Sequence, residues 1–235
     1  MARRGCDTLY NRGVSVSRRN NLERCSTCSM NETLCICALV PSLETRTRLE
    51  LIVHYREERK PTNTGQLAAR CLKRSSISIV GDRDRPLVRA PVTADEQPLL
   101  LFPADDAVPI TSFAASERPV VLIVPDGNWR QASKFRKRIA GLADIPCVVL
   151  PDMGPTDYRL RAEPHEGGLA TFEAIARALC ILEGPEVETA MLDVFRVMVE
   201  RTLWLRGALT DAEVSGGVPP AAIERNPRGT PARRS

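Results

Sequence analysis

The sequence predicts an α/β fold built on a mainly parallel sheet, with helices on both faces of that sheet. Short apolar runs alternate with segments of helical spacing, as expected for strands joined by crossover helices. The strongest run, residues 120–124 (VVLIV), is apolar without interruption, which is typical of a parallel strand covered on both faces. The chain has 235 residues, 43% of them hydrophobic, enough for one large domain with a small appendage.

Each further element is predicted from its own local pattern. Apolar stretches closed by charged residues, turns or proline predict strands at 49–54, 76–80, 99–102 and 146–150. Apolar residues spaced three and four apart predict helices at 66–72, 129–139, 171–183 and 186–206. These elements together form a predicted main domain, 41–212.

Both ends of the chain differ from this domain in composition. Residues 1–20 and 213–235 are polar and rich in arginine, or in proline and glycine, and are predicted to be disordered. No run approaches the roughly 20 apolar residues that span a bilayer, and the basic start of the chain is followed by polar residues rather than a signal sequence. We therefore expect a cytoplasmic protein that does not enter a membrane, and nothing in the chain implies a protein partner.

Four of the eight cysteines cluster as Cys25-x2-Cys28-x6-Cys35-x-Cys37. A Cys-x2-Cys pair followed by Cys-x-Cys can supply the four thiolates of a tetrahedral zinc site. The segment around it, 21–40, is too short for a core of its own, so a structural zinc would hold its fold. The alternatives are four reduced thiols without metal and, less favoured, a redox dithiol.

An excess of basic over acidic residues is found at the two ends of the chain. Six arginines precede Cys25 against one aspartate and one glutamate, and the C-terminal tail is also basic. Such ends suit an anionic partner such as RNA, although solvated tails explain them equally well.

The turn after the strongest predicted strand carries the main candidate site. Asp126 follows at its carboxyl end, where ligands of α/β folds bind, and Gly127 permits a sharp turn. Asn128 is a good N-cap, with Gln131 three residues later. The sequence is therefore compatible with a capped helix start alone, or with a carboxylate placed for proton abstraction.

Five blocks of the chain follow one another between about residues 25 and 180. They are the cysteine cluster, His54 with 63–68 (NTGQLA), 100–103 (LLFP), 126–132 (DGNWRQA), and 158–161 (YRLR) with Glu163, Pro164 and 171–174 (TFEA). In this order they resemble the DTW-domain family, the tRNA-uridine aminocarboxypropyltransferases. The chain departs from the family pattern at Asn128, where threonine is usual, and at Ala170, where serine is usual and alanine cannot cap a helix.

The resemblance implies a fold related to the SPOUT methyltransferases, with a knotted S-adenosylmethionine site towards the C-terminus, an exception to the rule against knots. It implies transfer of the 3-amino-3-carboxypropyl group of S-adenosylmethionine to N3 of a uridine in tRNA, leaving 5′-methylthioadenosine. The cofactor-binding residues implied are Asn63, Thr64, Gly65, Phe102, Pro103, Pro125, Gly127, Leu160, Arg161, Thr171 and Glu173.

Two residues of the signature are expected to take part in the reaction. We expect Asp126 to remove the N3 proton and Trp129 to shape the pocket or stack on a base, with ordinary packing as the alternative for Trp129. An arginine such as Arg161 could hold the carboxylate of the cofactor or form an ion pair with Glu163 or Glu173. His54 and His165 are expected to be structural or at the substrate edge.

Phosphate contacts are expected from basic residues that follow Trp129. They are Arg130, Lys134, Arg136, Lys137, Arg138 and Arg159. Two other functions remain open: an RNA methyltransferase of the related fold, and a zinc-containing RNA-binding protein without catalysis.

Overall fold

A computed structural model describes residues 23–60, 63–82, 92–127, 129–151, 154, 156, 158–160 and 169–225, with the side chain of Trp129 excepted. Six strands within these residues form one sheet in the order β2-β1-β5-β3-β6-β4, and all their pairings are parallel. The strands are β1 (Arg48–His54), β2 (Ser75–Val80), β3 (Gln97–Leu101), β4 (Val108–Pro109), β5 (Val120–Asp126) and β6 (Cys147–Val149). The prediction of a mainly parallel α/β sheet is confirmed.

Helices cover both faces of the sheet. They are α1 (Gly65–Arg70), α2 (Trp129–Arg138), α3 (Thr171–Glu183), α4 (Pro185–Leu205) and α5 (Pro220–Arg225). One face packs on α1, α3 and α4 through alternate residues such as Leu51 and Leu122, while the other packs on α2 through residues such as Ile52 and Ile123. The central strands β1 and β5 are buried along nearly their whole length, which explains their uninterrupted apolar sequence.

The predicted elements agree closely with the structure, and the differences have local causes. Strand β4 was not predicted because it has only two residues, Val108 and Pro109, both exposed at the sheet edge. The prediction of disorder from residue 213 is wrong as far as residue 225. There Val214 is 5% exposed and Ala222 of α5 is 1% exposed, so a few apolar contacts order a segment whose composition is polar.

The cysteine segment belongs to the main core. It contains 3-10 helices at Glu32–Leu34 and Cys37–Leu39, and its apolar side chains Met30, Leu34 and Ile36 are buried in the cluster that includes α3 and α4. The segment lacks a core of its own, as expected, but it shares that of the domain.

Among the helices that the structure describes, none is both long enough and apolar enough to cross a membrane.

Candidate active site and metal centre

The strands β1 and β5 lie side by side at a topological switch point. The chain leaves β1 through α1 to reach β2 on one side of this pair, and leaves β5 through α2 to reach β6 on the other side. The two crossover helices lie on opposite faces of the sheet. A crevice at the carboxyl ends of two such strands is where open α/β sheets bind ligands. Asp126, the last residue of β5, lies at this position beside Val53.

The carboxylate of Asp126 is held between the starts of two helices. It is only 8% exposed, and its Oδ1 accepts a 2.8 Å hydrogen bond from the hydroxyl of Thr171, the first residue of α3. A Cβ atom at Gly65, the first residue of α1, would lie 2.9 Å from Asp126 Oδ2. Only glycine therefore lets α1 approach so closely. The hydroxyl of Thr171 and the close approach of Gly65 thus fix the position of the carboxylate.

Thr64 caps a helix other than its own. It precedes α1, makes no side-chain cap there, and its buried hydroxyl accepts a 3.3 Å hydrogen bond from the backbone N–H of Phe172 in α3. Asn63 caps α1 instead, since its Oδ1 accepts the N–H of Gln66 at 3.1 Å. Thr64 thus supplies an acceptor that Ala170, the N-cap residue of α3, lacks.

Glu173 anchors the loop that follows β6. It is 1% exposed, and its Oε2 accepts hydrogen bonds from the N–H of Ala170 at 3.0 Å and from the hydroxyl of Thr156 at 2.5 Å. Thr156 in turn accepts the N–H of Tyr158 at 3.0 Å. Glu173 is thus buried by contacts within the protein and orders the loop before Tyr158, unlike the expectation of a direct cofactor contact.

Several other predicted site residues lie at the same edge of the sheet. Phe102 and Pro103 follow β3, next to the end of β5, while Pro125 and Gly127 flank Asp126 on either side. Phe102 and Gly127 are partly exposed, and Pro103 is exposed. Asn128, Arg161, Glu163 and His165 lie outside the described residues, and Trp129 is described only as the first residue of α2.

His54 lies on the opposite face of the sheet from the Asp126 carboxylate. Its ring stacks on Phe135 of α2 with a centroid distance of 6.4 Å, and its Nδ1 accepts the N–H of Arg56 at 3.2 Å. Burial, followed by the charge of Arg56, lowers the pKa of His54 below its usual value. A neutral His54 therefore supports the turn after β1.

The basic residues of α2 are of two kinds. Arg136 donates two hydrogen bonds to the carboxylate of Asp106, at 2.7 and 2.6 Å, and this contact lowers the pKa of Asp106. The charge of Arg136 is thus already paired, unlike the expectation of a free phosphate contact. Four basic side chains of α2 are exposed without an ion pair to another described residue: Arg130, Lys134, Lys137 and Arg138. Arg159 instead lies beside α4, where it lines a cavity of about 100 Å³.

The four clustered cysteines converge on one point. Their Sγ atoms lie within 4.8 Å of one another, with Cys25–Cys37 at 3.6 Å and Cys28–Cys35 at 3.7 Å. Tetrahedral coordination at the usual Zn–S length of about 2.3 Å places sulfur atoms roughly 3.8 Å apart, so the geometry fits a zinc site with four cysteine ligands. The backbone turns at Ser29, whose φ is 59°.

The thiols of the cluster differ in the direction in which their pKa values are shifted. Burial acts to raise the pKa of Cys25, but hydrogen bonds from the backbone of Cys28 and Thr27 outweigh it and lower the pKa to about 6. Burial raises the pKa of Cys35 and of Cys37. Without a metal, the raised pKa values favour neutral thiols at Cys35 and Cys37, so a metal that binds four thiolates would displace protons from them.

Comparison with known proteins decides the family. A family model described as the DTW domain matches residues 22–203, which covers the cysteine segment, the whole sheet and nearly all of α4. The chain belongs to the DTW-domain family. Its signature, 126–132, falls at the end of β5 and the start of α2, and Asp126 is the first residue of that signature.

Curated relatives of this DTW-domain protein are named as tRNA-uridine aminocarboxypropyltransferases. The tRNA-uridine aminocarboxypropyltransferase 2 of Drosophila melanogaster is 27% identical over 188 residues, which cover 77% of this chain and 75% of the relative. The protein of the same name from Macaca fascicularis is 29% identical over 75% of this chain and 61% of its own length. The tRNA-uridine aminocarboxypropyltransferase A of Arabidopsis thaliana is 28% identical over 74% and 79%. No solved structure matches the chain.

Proposed function

We propose that this DTW-domain protein transfers the 3-amino-3-carboxypropyl group from S-adenosylmethionine to N3 of a uridine in tRNA. The observation that carries the proposal is the buried carboxylate of Asp126, held at the switch point by Thr171 and Gly65 within the signature of a family whose curated relatives bear that name. The tRNA substrate and the enzyme class come from those relatives' names.

The chemistry explains why a fixed carboxylate is needed. Uridine N3 carries a proton and becomes nucleophilic only when that proton leaves. When bound, S-adenosylmethionine would supply an electrophilic γ-carbon for N3, and 5′-methylthioadenosine would be the leaving group as the S–Cγ bond is exchanged for the N3–Cγ bond. Asp126 accepts the N3 proton, which balances the charge lost at the sulfonium. The protein otherwise acts by positioning and by excluding water.

Specific contacts support this role for Asp126. The Thr171 hydroxyl at 2.8 Å and the close approach of Gly65 hold the carboxylate in one orientation. Phe102 and Pro125 lie at the same edge of the sheet, but Phe102 packs into the core on the face that α2 covers, opposite to the Asp126 carboxylate. Arg161 would hold the cofactor carboxylate and Trp129 would stack on a base.

Three further features complete the proposal. The four-cysteine centre holds a structural zinc, as its sulfur distances support. The exposed basic side chains of α2, a helix that begins within the signature, contact tRNA phosphates. A knotted cofactor loop related to that of the SPOUT methyltransferases, and a location in the cytoplasm, belong to the same proposal.

Incubation with tRNA and S-adenosylmethionine, followed by nucleoside mass analysis, tests the function. We expect a uridine with a mass increase of one aminocarboxypropyl group, together with 5′-methylthioadenosine. A methyl increase with S-adenosylhomocysteine would instead identify an RNA methyltransferase, and tRNA binding without any mass change would identify a non-catalytic RNA-binding protein.

Replacement of one atom tests the base. Asp126→Asn keeps an oxygen that can accept the hydrogen bond from the Thr171 hydroxyl, but it removes the basic carboxylate. Transfer should be abolished while S-adenosylmethionine binding, measured by calorimetry, is retained. Asp193→Asn, which alters an exposed carboxylate on α4, is the matched control and should be fully active. Full activity of Asp126→Asn would exclude Asp126 as the base.

A further inference from the structure

The buried side of α4 contains one arginine among apolar residues. Arg201 is 7% exposed and lies between Met198, which is 7% exposed, and Trp204, which is 1% exposed. Removing a guanidinium from water costs several kcal/mol unless hydrogen bonds and an opposite charge offset that cost. The position of Arg201 therefore requires an anion.

The hydrogen bonds of Arg201 lead to the cysteine segment. Its Nη1 donates to the carbonyl oxygen of Cys35 at 2.9 Å and to that of Leu34 at 3.4 Å. Within the described part of the chain, no carboxylate lies within ion-pair distance of Arg201. Its neighbour Glu200 is engaged elsewhere, since it accepts the N–H of Ser215 at 2.6 Å. Carbonyl oxygens satisfy donors but do not neutralise a full charge.

The cysteine cluster would supply such an anion once it holds a metal, and Arg201 already contacts the backbone of Cys35. Four thiolates around one divalent cation leave two net negative charges on the centre, and Cys35 is one of those four ligands. We propose that Arg201 is the counter-charge of the metal centre, and that it both raises metal affinity and fastens the cysteine segment to α4. This inference rests on the proposed zinc centre.

The position of Arg201 also connects the metal to the rest of the domain. Phe195, on the same helix, stacks on Phe172 at the start of α3 with a centroid distance of 4.6 Å. The hydroxyl of Thr202 approaches the sulfur of Met30 in the cysteine segment at 3.7 Å. Because Arg201 and Thr202 both contact the cysteine segment, the contact between that segment and α4 should weaken when the metal is removed.

Zinc affinity of the full chain tests this role, measured by competition with a chromophoric chelator. Arg201→Met removes the charge but keeps the apolar stem, and should weaken zinc binding roughly tenfold or more, as loss of such outer contacts does. Arg201→Lys keeps the positive charge but places it on one nitrogen instead of a planar guanidinium. Its zinc affinity should lie between that of Arg201→Met and that of wild type. The matched control is Arg196→Met, an exposed arginine on the same helix, which should bind zinc as wild type does.

The outcomes separate the two proposals. Wild-type protein that binds zinc, with Arg201→Met binding equally tightly, overturns the role of Arg201 and leaves the zinc centre intact. Wild-type protein that binds no zinc overturns both.

A second measurement covers the case in which Arg201→Met does not fold. Hydrogen exchange of wild-type protein, before and after zinc removal, should show residues 34–37 and α4 around Arg201 losing protection together. Loss of protection confined to the cysteine segment would also overturn the inference.

Discussion

The hydroxyl of Thr171 donates a 2.8 Å hydrogen bond to the carboxylate of Asp126, 45 residues earlier in the chain. This contact joins the start of α3 to the end of β5. The next residue of α3, Phe172, donates its backbone N–H to Thr64, which directly precedes α1. Three elements are therefore connected through two threonine hydroxyls at the point where we propose that proton transfer occurs.

Thr171→Val should impair transfer while preserving the fold. Valine has the shape of threonine but cannot donate to Asp126, and a hydrogen bond to a charged group is worth about 1.5–3 kcal/mol. We expect kcat to fall roughly 10- to 100-fold, with Thr171→Ser close to wild type. Steady-state kinetics with saturating S-adenosylmethionine measures this difference. Equal kcat in the valine variant would show that the hydroxyl does not orient the base.

Gly65→Ala should reduce activity by displacing the Asp126 carboxylate. The new Cβ would lie 2.9 Å from Asp126 Oδ2 and 3.1 Å from Thr171 Cγ2, closer than either atom tolerates. A displacement near 1 Å can reduce the rate by about 100-fold.

The contrast to Gly65→Ala is Gly141→Ala, where φ is +84° and no atom lies within 4 Å of the new Cβ. That variant should be less stable by about 1–2 kcal/mol yet fully active, because the strain is local. Thermal denaturation and transfer rates of both variants test the prediction, which fails if Gly65→Ala has the wild-type rate.

Thr64→Val should destabilise the protein through α3, a helix to which Thr64 does not belong. Loss of a cap typically costs about 1 kcal/mol. Ala170→Ser would restore a local cap, so it should have little effect alone but recover part of the loss in Thr64→Val. Chemical denaturation of wild type, the two single variants and the double variant gives their free energies of unfolding, which form a double-mutant cycle. Strict additivity would argue against a shared capping role.

The basic side chains of α2 should differ in their contribution to tRNA binding. Arg130→Gln, Lys134→Gln, Lys137→Gln and Arg138→Gln each remove an exposed charge, and removing one phosphate interaction should reduce the salt dependence of binding by roughly 0.7–0.9 in slope. Arg136→Gln should leave that slope unchanged, because Asp106 already pairs with Arg136. Binding isotherms at several salt concentrations distinguish these cases. Equal effects at all five positions would contradict the distinction.

The Arg48–Glu96 pair should make stability depend on pH in acid. Hydrogen bonds from Arg48, together with those from Thr93, lower the pKa of Glu96 from 4.5 to about 2. Because the folded-state pKa is below the unfolded one, the contribution is complete above about pH 4.5 and is lost as pH falls towards 2. Glu96→Gln should lower stability at neutral pH and flatten its dependence between these values. Denaturation curves at stepped pH test this, and an unchanged slope would contradict it.

The sequence was sufficient for features that depend on neighbours along the chain. The buried strands β1 and β5 are apolar throughout because both faces are covered, and the helical spacing of α3 predicted its bounds, Thr171–Glu183. The cysteine spacing predicted the convergence of four thiols. The burial of Arg201 was not predicted, although this arginine interrupts the apolar spacing of α4.

Contacts between distant segments were decided only by the tertiary structure. No local pattern indicates that Asp106 neutralises Arg136, that Thr64 caps α3, or that a polar tail is ordered as far as residue 225. For Asp126, the sequence alone determined its place at the end of a central strand, because strand and turn signals are local. The tertiary structure decided the partners of Asp126, since Gly65 and Thr171 reach it only after α1 and α3 pack on the same face of the sheet.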